Sequence, residues 1–162
     1  MARYRRFDTL RETGARLRDD EIASVRLRRA GLKSALSDLE LALAAAAPGR
    51  EDEWRAGVRD ALDALHEVWT RHIIDTEAPG AFLDELVDET PRLANAAQRL
   101  RDEHGEILSE MLAAEETIRQ RPVDVVDLRS RLTAMLCMLA AHRQRGADLV
   151  YEAFDVDIGG GF

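Results

Sequence analysis

The stretch LANAAQRLRDEHGEILSEMLAAEETI, residues 93–118, decides the fold class of this 162-residue chain. Its apolar residues recur every three or four positions, which is the spacing of one face of an α-helix; they are Leu93, Ala97, Leu100, Ile107, Met111 and Ile118. His104 lies on the same row, between charged neighbours. The stretch therefore predicts a long amphipathic helix with a histidine on its core-facing side.

The same periodicity occurs in three other long segments. They cover residues 19–47, 51–77 and 124–153. The first of them ends at a Pro-Gly pair. The helix of the opening stretch starts at Thr90 and Pro91, a pair typical of a helix N-terminus. Residues 81–89 could add two helical turns before it. Four long helices with short connections predict an all-α, up-down-up-down four-helix bundle.

Beyond the bundle, assigned to residues 19–155, the chain has two short ends. Residues 1–18 form a basic N-terminal arm, and residues 156–162 form a short irregular tail rich in glycine. The N-terminus lacks an apolar signal core, and no apolar run reaches the length of a membrane span. With a single cysteine, Cys137, no internal disulfide is possible. We therefore expect a cytoplasmic protein with no membrane association.

Charge is distributed unevenly along the chain. Residues 1–33 carry ten Arg/Lys and five Asp/Glu, a net +5, and the remaining thirteen and twenty-six give −13, for a total of −8. A basic arm on an acidic body could meet nucleic acid or an acidic partner. Because no groove-reading or aromatic-interleaved motif accompanies the arginines, we expect no nucleic-acid binding. A homodimer, or a protein partner bound through the Arg-rich arm, remains open.

Three of the four histidines lie on apolar rows of three different helices: His72, His104 and His142. Inward side chains from facing helices are how bundles build metal sites, and neutral imidazole is a common ligand. His104 and His142 fall at similar depths, whereas His72 reaches them only if its helix projects past the next one. His66 points about 120° away from His72 and is predicted to be a boundary residue. Alternatively, the three histidines are core residues bonded to carboxylates or carbonyls.

Three stretches of the sequence resemble motifs of the hemerythrin-like, or HHE cation-binding, domain family. WTRHIIDTEAPG (69–80) resembles the family's second-helix stretch, LRDEHGEIL (100–108) its third-helix Leu-x-x-Glu-His, and LAAHRQRGADLVYEAF (139–154) its last-helix histidine with the following acid and aromatic residues. The resemblance covers roughly residues 20–155. It implies a four-helix bundle whose inward His, Glu and Asp residues hold a non-haem iron pair for oxygen binding or sensing.

The chain departs from the family pattern in all four helices, and Leu108 and Gly146 occupy the positions four residues after His104 and His142. The first helix has no histidine and carries Arg29 on its apolar row, near the level of His72. The acid expected four residues after His72 is replaced by Thr76, and Glu77 is rotated about 140° from that histidine. Three histidines with an open position suit one zinc or ferrous ion rather than an iron pair.

The sequence thus predicts a metal-binding bundle that senses or stores rather than turns over substrate. The candidate ligands are His72, His104 and His142, with Glu77 or Glu103 as carboxylate partners and iron or zinc as the metal. The alternative is a metal-free bundle that serves as an interaction or oligomerisation module. In that case Arg29 and Glu77 would replace the metal by an ion pair.

Overall fold

In the computed structural model, residues 30–155 are described, with side chains to residue 153, and every regular element among them is helical. The elements are α1 (residues 30–44), α2 (Glu51–Glu77), α3 (Phe82–Glu89), a 3-10 turn (Pro91–Leu93), α4 (Ala94–Arg119) and α5 (Val125–Asp155). The predicted all-α class is confirmed. The basic arm, the start of the first helix and the tail at 156–162 lie outside the described residues.

The helix ends follow from local chemistry. α5 begins where the Asp124 carboxylate accepts hydrogen bonds from the backbone N–H groups of Val126 (3.0 Å) and Asp127 (2.9 Å), which caps its first turn. The Thr90–Pro91 pair starts a 3-10 turn rather than α4 directly, and the Thr90 hydroxyl makes no capping bond. Thr90 also ends α3, since its N–H donates to the carbonyl of Leu86 (2.9 Å).

The described helices form a bundle around two clusters of buried apolar residues. The larger cluster draws on α1, α2, α4 and α5, and the smaller one joins α3 to the start of α4 and the end of α5. Along α4, His104 falls between Leu100 of the smaller cluster and Ile107 of the larger one. The row of α4 that carries His104 therefore crosses the boundary between the two clusters.

At the end of the bundle away from the three histidines, arginine side chains hydrogen-bond to the carbonyls at the ends of neighbouring helices. Arg129, at the start of α5, donates to the carbonyls of Leu43 (2.9 Å) and Ala45 (3.1 Å), and Arg55 of α2 donates to that of Ile118 (3.4 Å). The up-down-up-down order stays a prediction. Among the described helices, none is both long enough and apolar enough to cross a membrane.

Candidate metal centre

The bundle brings together the three histidines that the apolar rows singled out. His72 of α2, His104 of α4 and His142 of α5 each place a ring nitrogen within 4.8 Å of the others. His104 and His142 are 2% and 4% exposed, and His72 is half-buried. The sequence left open whether α2 extends far enough along α4 for His72 to reach His104. It does, because the centroids of the two rings are 5.0 Å apart. The three residues could bind a metal ion.

A fully buried tryptophan forms one side of the cluster. Trp69 lies one turn before His72 on α2, stacks on its ring with centroids 5.0 Å apart, and is 0% exposed. It meets the rings of His104 and His142 nearly at right angles, at 5.4 and 5.2 Å. Its indole N–H donates to the backbone carbonyl of His104 (3.4 Å), which fixes the orientation of the ring.

Two carboxylates accept hydrogen bonds from the outward nitrogens of the buried pair. The Nδ1 of His104 bonds to the Glu77 carboxylate, and the Nδ1 of His142 bonds to Glu103 Oε2 at 2.9 Å. An Nδ1–H that donates to a carboxylate leaves Nε2 as the free basic atom, and metal-binding histidines commonly have such an outer partner. The acids therefore orient both imidazoles for binding through Nε2.

The two Nε2 atoms face each other across the centre of the cluster. Nε2 of His104 lies 3.2 Å from Nε2 of His142. If both atoms carried lone pairs they would repel, so either one Nε2 carries a hydrogen that it donates to the other, or a metal ion lies between them. Two nitrogens bound at about 2.0–2.1 Å to one tetrahedral ion would lie about 3.3 Å apart, close to the observed spacing.

One ring nitrogen of His72 makes no hydrogen bond within the described part of the chain. Its Nε2 is buried and has no hydrogen-bond partner in that part of the chain. Desolvation, reinforced by the charges of His104 and His142, lowers the pKa of His72 from 6.5 to about 3. Desolvation also lowers the pKa of His142, against the opposing hydrogen bond to Glu103. His72 is therefore neutral near pH 7, which is the form that binds metals.

Each of the two predicted carboxylate partners bonds to a histidine other than His72. The rotation of Glu77 away from His72 along α2 carries its carboxylate to His104 on α4 instead. Glu103 bridges His142 and Arg145, a contact that the sequence did not reveal. Both acids thus lie behind the imidazoles rather than in the group that could hold the ion. Arg29, the predicted ion-pair partner of Glu77, is outside the described residues.

His66 lies apart from the cluster. Its side chain is 28% exposed, and its Nδ1 bonds to Glu115 Oε1 at 2.6 Å. Glu115 also approaches Arg119, with the nearest atoms 3.8 Å apart. This position fits the predicted boundary role, because the pair closes the edge between α2 and α4.

Comparison with known proteins adds no further assignment: the sequence matches no protein-family model, and neither a curated protein nor a solved structure matches it. The fold and the site define the class on their own. The protein is a helical bundle in which three histidines lie close enough together to bind a metal ion.

Proposed function

We propose that this protein is a metal-binding helical bundle that holds one divalent transition-metal ion through His72, His104 and His142. One observation carries the proposal, namely the convergence of three imidazoles from three helices. Two of them are oriented by carboxylates, and the third has a buried nitrogen without a hydrogen-bond partner in the described part of the chain. Removing imidazoles from water costs free energy unless their polar atoms are paired, and a metal ion would pair the inward nitrogens of all three rings.

The charges and the donor atoms suit a divalent ion. Neutral imidazole ligands add no charge, while the Glu77 carboxylate lies behind His104, and the Glu103 carboxylate, which also pairs with Arg145, lies behind His142. Imidazole nitrogen suits zinc, iron, copper and nickel, and three protein ligands leave a position for a non-protein ligand. Zinc or ferrous iron is the ion that we expect.

The proposal includes the family resemblance and the predicted role. We propose a divergent hemerythrin-like bundle with up-down-up-down helices and a mononuclear site in place of the family's iron pair. An iron pair also needs bridging carboxylates, and Glu77 and Glu103 are engaged with the outward nitrogens of His104 and His142. Because these two rings are almost fully buried, the site suits sensing or storage, with a small ligand at most, rather than turnover of a large substrate.

The test is metal content in untagged protein that has been stripped with chelator and then loaded anaerobically with Fe²⁺ or Zn²⁺. Elemental analysis should give about one ion per chain, and His142→Ala should lose most of it. His66→Ala is the matched control and should retain the metal, because His66 bonds to Glu115 outside the cluster. Circular dichroism confirms that each variant is folded.

Two outcomes would count against the proposal. Less than a tenth of an ion per chain after loading would contradict it and would favour the metal-free interaction module. A metal content near two ions per chain would contradict the mononuclear site.

A further inference from the structure

We infer that Trp69 is a fourth partner of the bound ion, which it stabilises through the face of its indole ring rather than through a lone pair. This inference rests on the proposed metal site and deepens it. It assigns to the site a cation–π contact, the attraction between a positive charge and the electron-rich face of an aromatic ring.

The placement of the four rings supports this role. The six centroid distances among Trp69, His72, His104 and His142 all fall between 4.7 and 5.7 Å, so the rings stand at the corners of an irregular tetrahedron. The imidazole nitrogens lie within 4.8 Å of one another, and an ion bound to His72 would lie in the plane of its ring, which stacks at 27° on the face of the indole. It would therefore be within the roughly 6 Å at which an indole attracts a cation.

The indole is held in a way that offers only its ring to the ion. Its single polar atom, the Nε1–H group, donates to the His104 backbone carbonyl and so cannot take part in coordination. The side chain is 0% exposed, and cation–π attraction is strongest where water is excluded. Charge on the metal also spreads onto the imidazoles, all three of which touch the indole.

The other tryptophan of the chain shows the same interaction with a built-in cation. At Trp54 the guanidinium carbon of Arg129 lies 5.3 Å from the ring centroid. Trp69 has no arginine or lysine at that distance among the described residues, and the three imidazoles surround it instead. In our account the metal ion supplies at Trp69 the charge that Arg129 supplies at Trp54.

The test changes the electron density of the indole while nearly preserving its shape. Trp54→Phe leaves Trp69 as the sole tryptophan, which is then replaced by mono-, di- and trifluorotryptophan during expression. Affinity for Zn²⁺ is measured by competition with a chromophoric chelator. Each fluorine weakens the ring face, so the Kd should rise stepwise, by about tenfold across the series. In the matched Trp69→Phe chain, fluorination of Trp54 should leave the Kd unchanged.

A Kd constant within twofold across the series, with zinc still bound at one per chain, would overturn the role of Trp69 and leave the metal site standing. Absence of zinc binding in the unfluorinated parent would overturn both. Should Trp54→Phe fail to fold, the same series in the unsubstituted chain gives the readout, since Trp54 lies outside the histidine cluster.

Discussion

Two histidine–carboxylate pairs join α2 to α4, and they differ in what surrounds the second ring nitrogen. In one pair His66 of α2 bonds to Glu115 of α4, and in the other the helices exchange roles, with His104 of α4 bonded to Glu77 of α2. The ring of His66 is partly exposed at the bundle edge. The ring of His104 is buried, and its second nitrogen faces another imidazole.

The comparison shows that a carboxylate bonded to a histidine is not enough to indicate a metal site. In the His66–Glu115 pair, one hydrogen bond joins a partly exposed imidazole to a nearly buried carboxylate at the edge of the bundle. At His104 the carboxylate satisfies one nitrogen and leaves the other aimed at His142, with a third imidazole beside them. The two pairs are therefore matched test positions, one for structure alone and one for metal binding.

The largest difference between the pairs should appear in metal-linked stability. Zinc at a hundred times its Kd should raise the free energy of unfolding of the wild-type chain by about 2.7 kcal/mol. His104→Ala should abolish this increment, whereas His66→Ala should keep it. Denaturant unfolding with zinc and with chelator measures both values. Equal losses of stability in His104→Ala with and without zinc would mean that His104 is a core residue.

A smaller effect is expected from the carboxylates. Glu77→Gln keeps the size of the side chain but removes the charge behind His104, and loss of such an outer partner typically lowers metal affinity by about 10–100-fold. Glu115→Gln makes the same change behind His66 and should leave the Kd for zinc within twofold. Competition with a chelator measures both. Similar losses in the two variants would show that the effect is general destabilisation.

A third effect concerns the pH dependence of the free energy of unfolding of the metal-free protein. Because the pKa of His72 is about 3 in the folded chain and near 6.5 when unfolded, the unfolded state binds the extra proton first as pH falls. Stability should therefore decline between pH 6.5 and 3, by up to about 1.4 kcal/mol per pH unit for this residue. His142, whose pKa is also lowered, contributes with the same sign.

This dependence can be measured between pH 6.5 and 5, above the range in which most carboxylates titrate. His72→Gln cannot titrate and should show a shallower loss of unfolding free energy than the wild type over that interval. Identical slopes in wild type and His72→Gln would contradict the buried, neutral state assigned to His72.

The fold and the three histidines could be predicted because helical periodicity is a local property. Counting by threes and fours places Leu100, His104 and Ile107 on one face of α4, whatever packs against it. The limits of α2 follow in the same way from the Pro-Gly stop before it and the Ala-Pro-Gly exit after it.

The contacts between helices could not be predicted, because they depend on how far each helix is shifted and rotated relative to its neighbours. That Glu77 pairs with His104 rather than with a residue of its own helix follows from the packing of α2 on α4. The place of Trp69 beside all three imidazoles follows from the same packing. Its spacing of three residues from His72 was a signal for one of those contacts and carried no information on the other two.

The most direct test of the three-histidine site is X-ray absorption spectroscopy of the zinc-loaded protein at one ion per chain. Imidazole rings scatter with a recognisable outer-shell pattern, so the number of histidines on the metal can be counted. Our account predicts three imidazoles with zinc–nitrogen distances of about 2.0–2.1 Å. A spectrum with one imidazole or none, dominated by oxygen ligands, would place the zinc elsewhere and contradict the site formed by His72, His104 and His142.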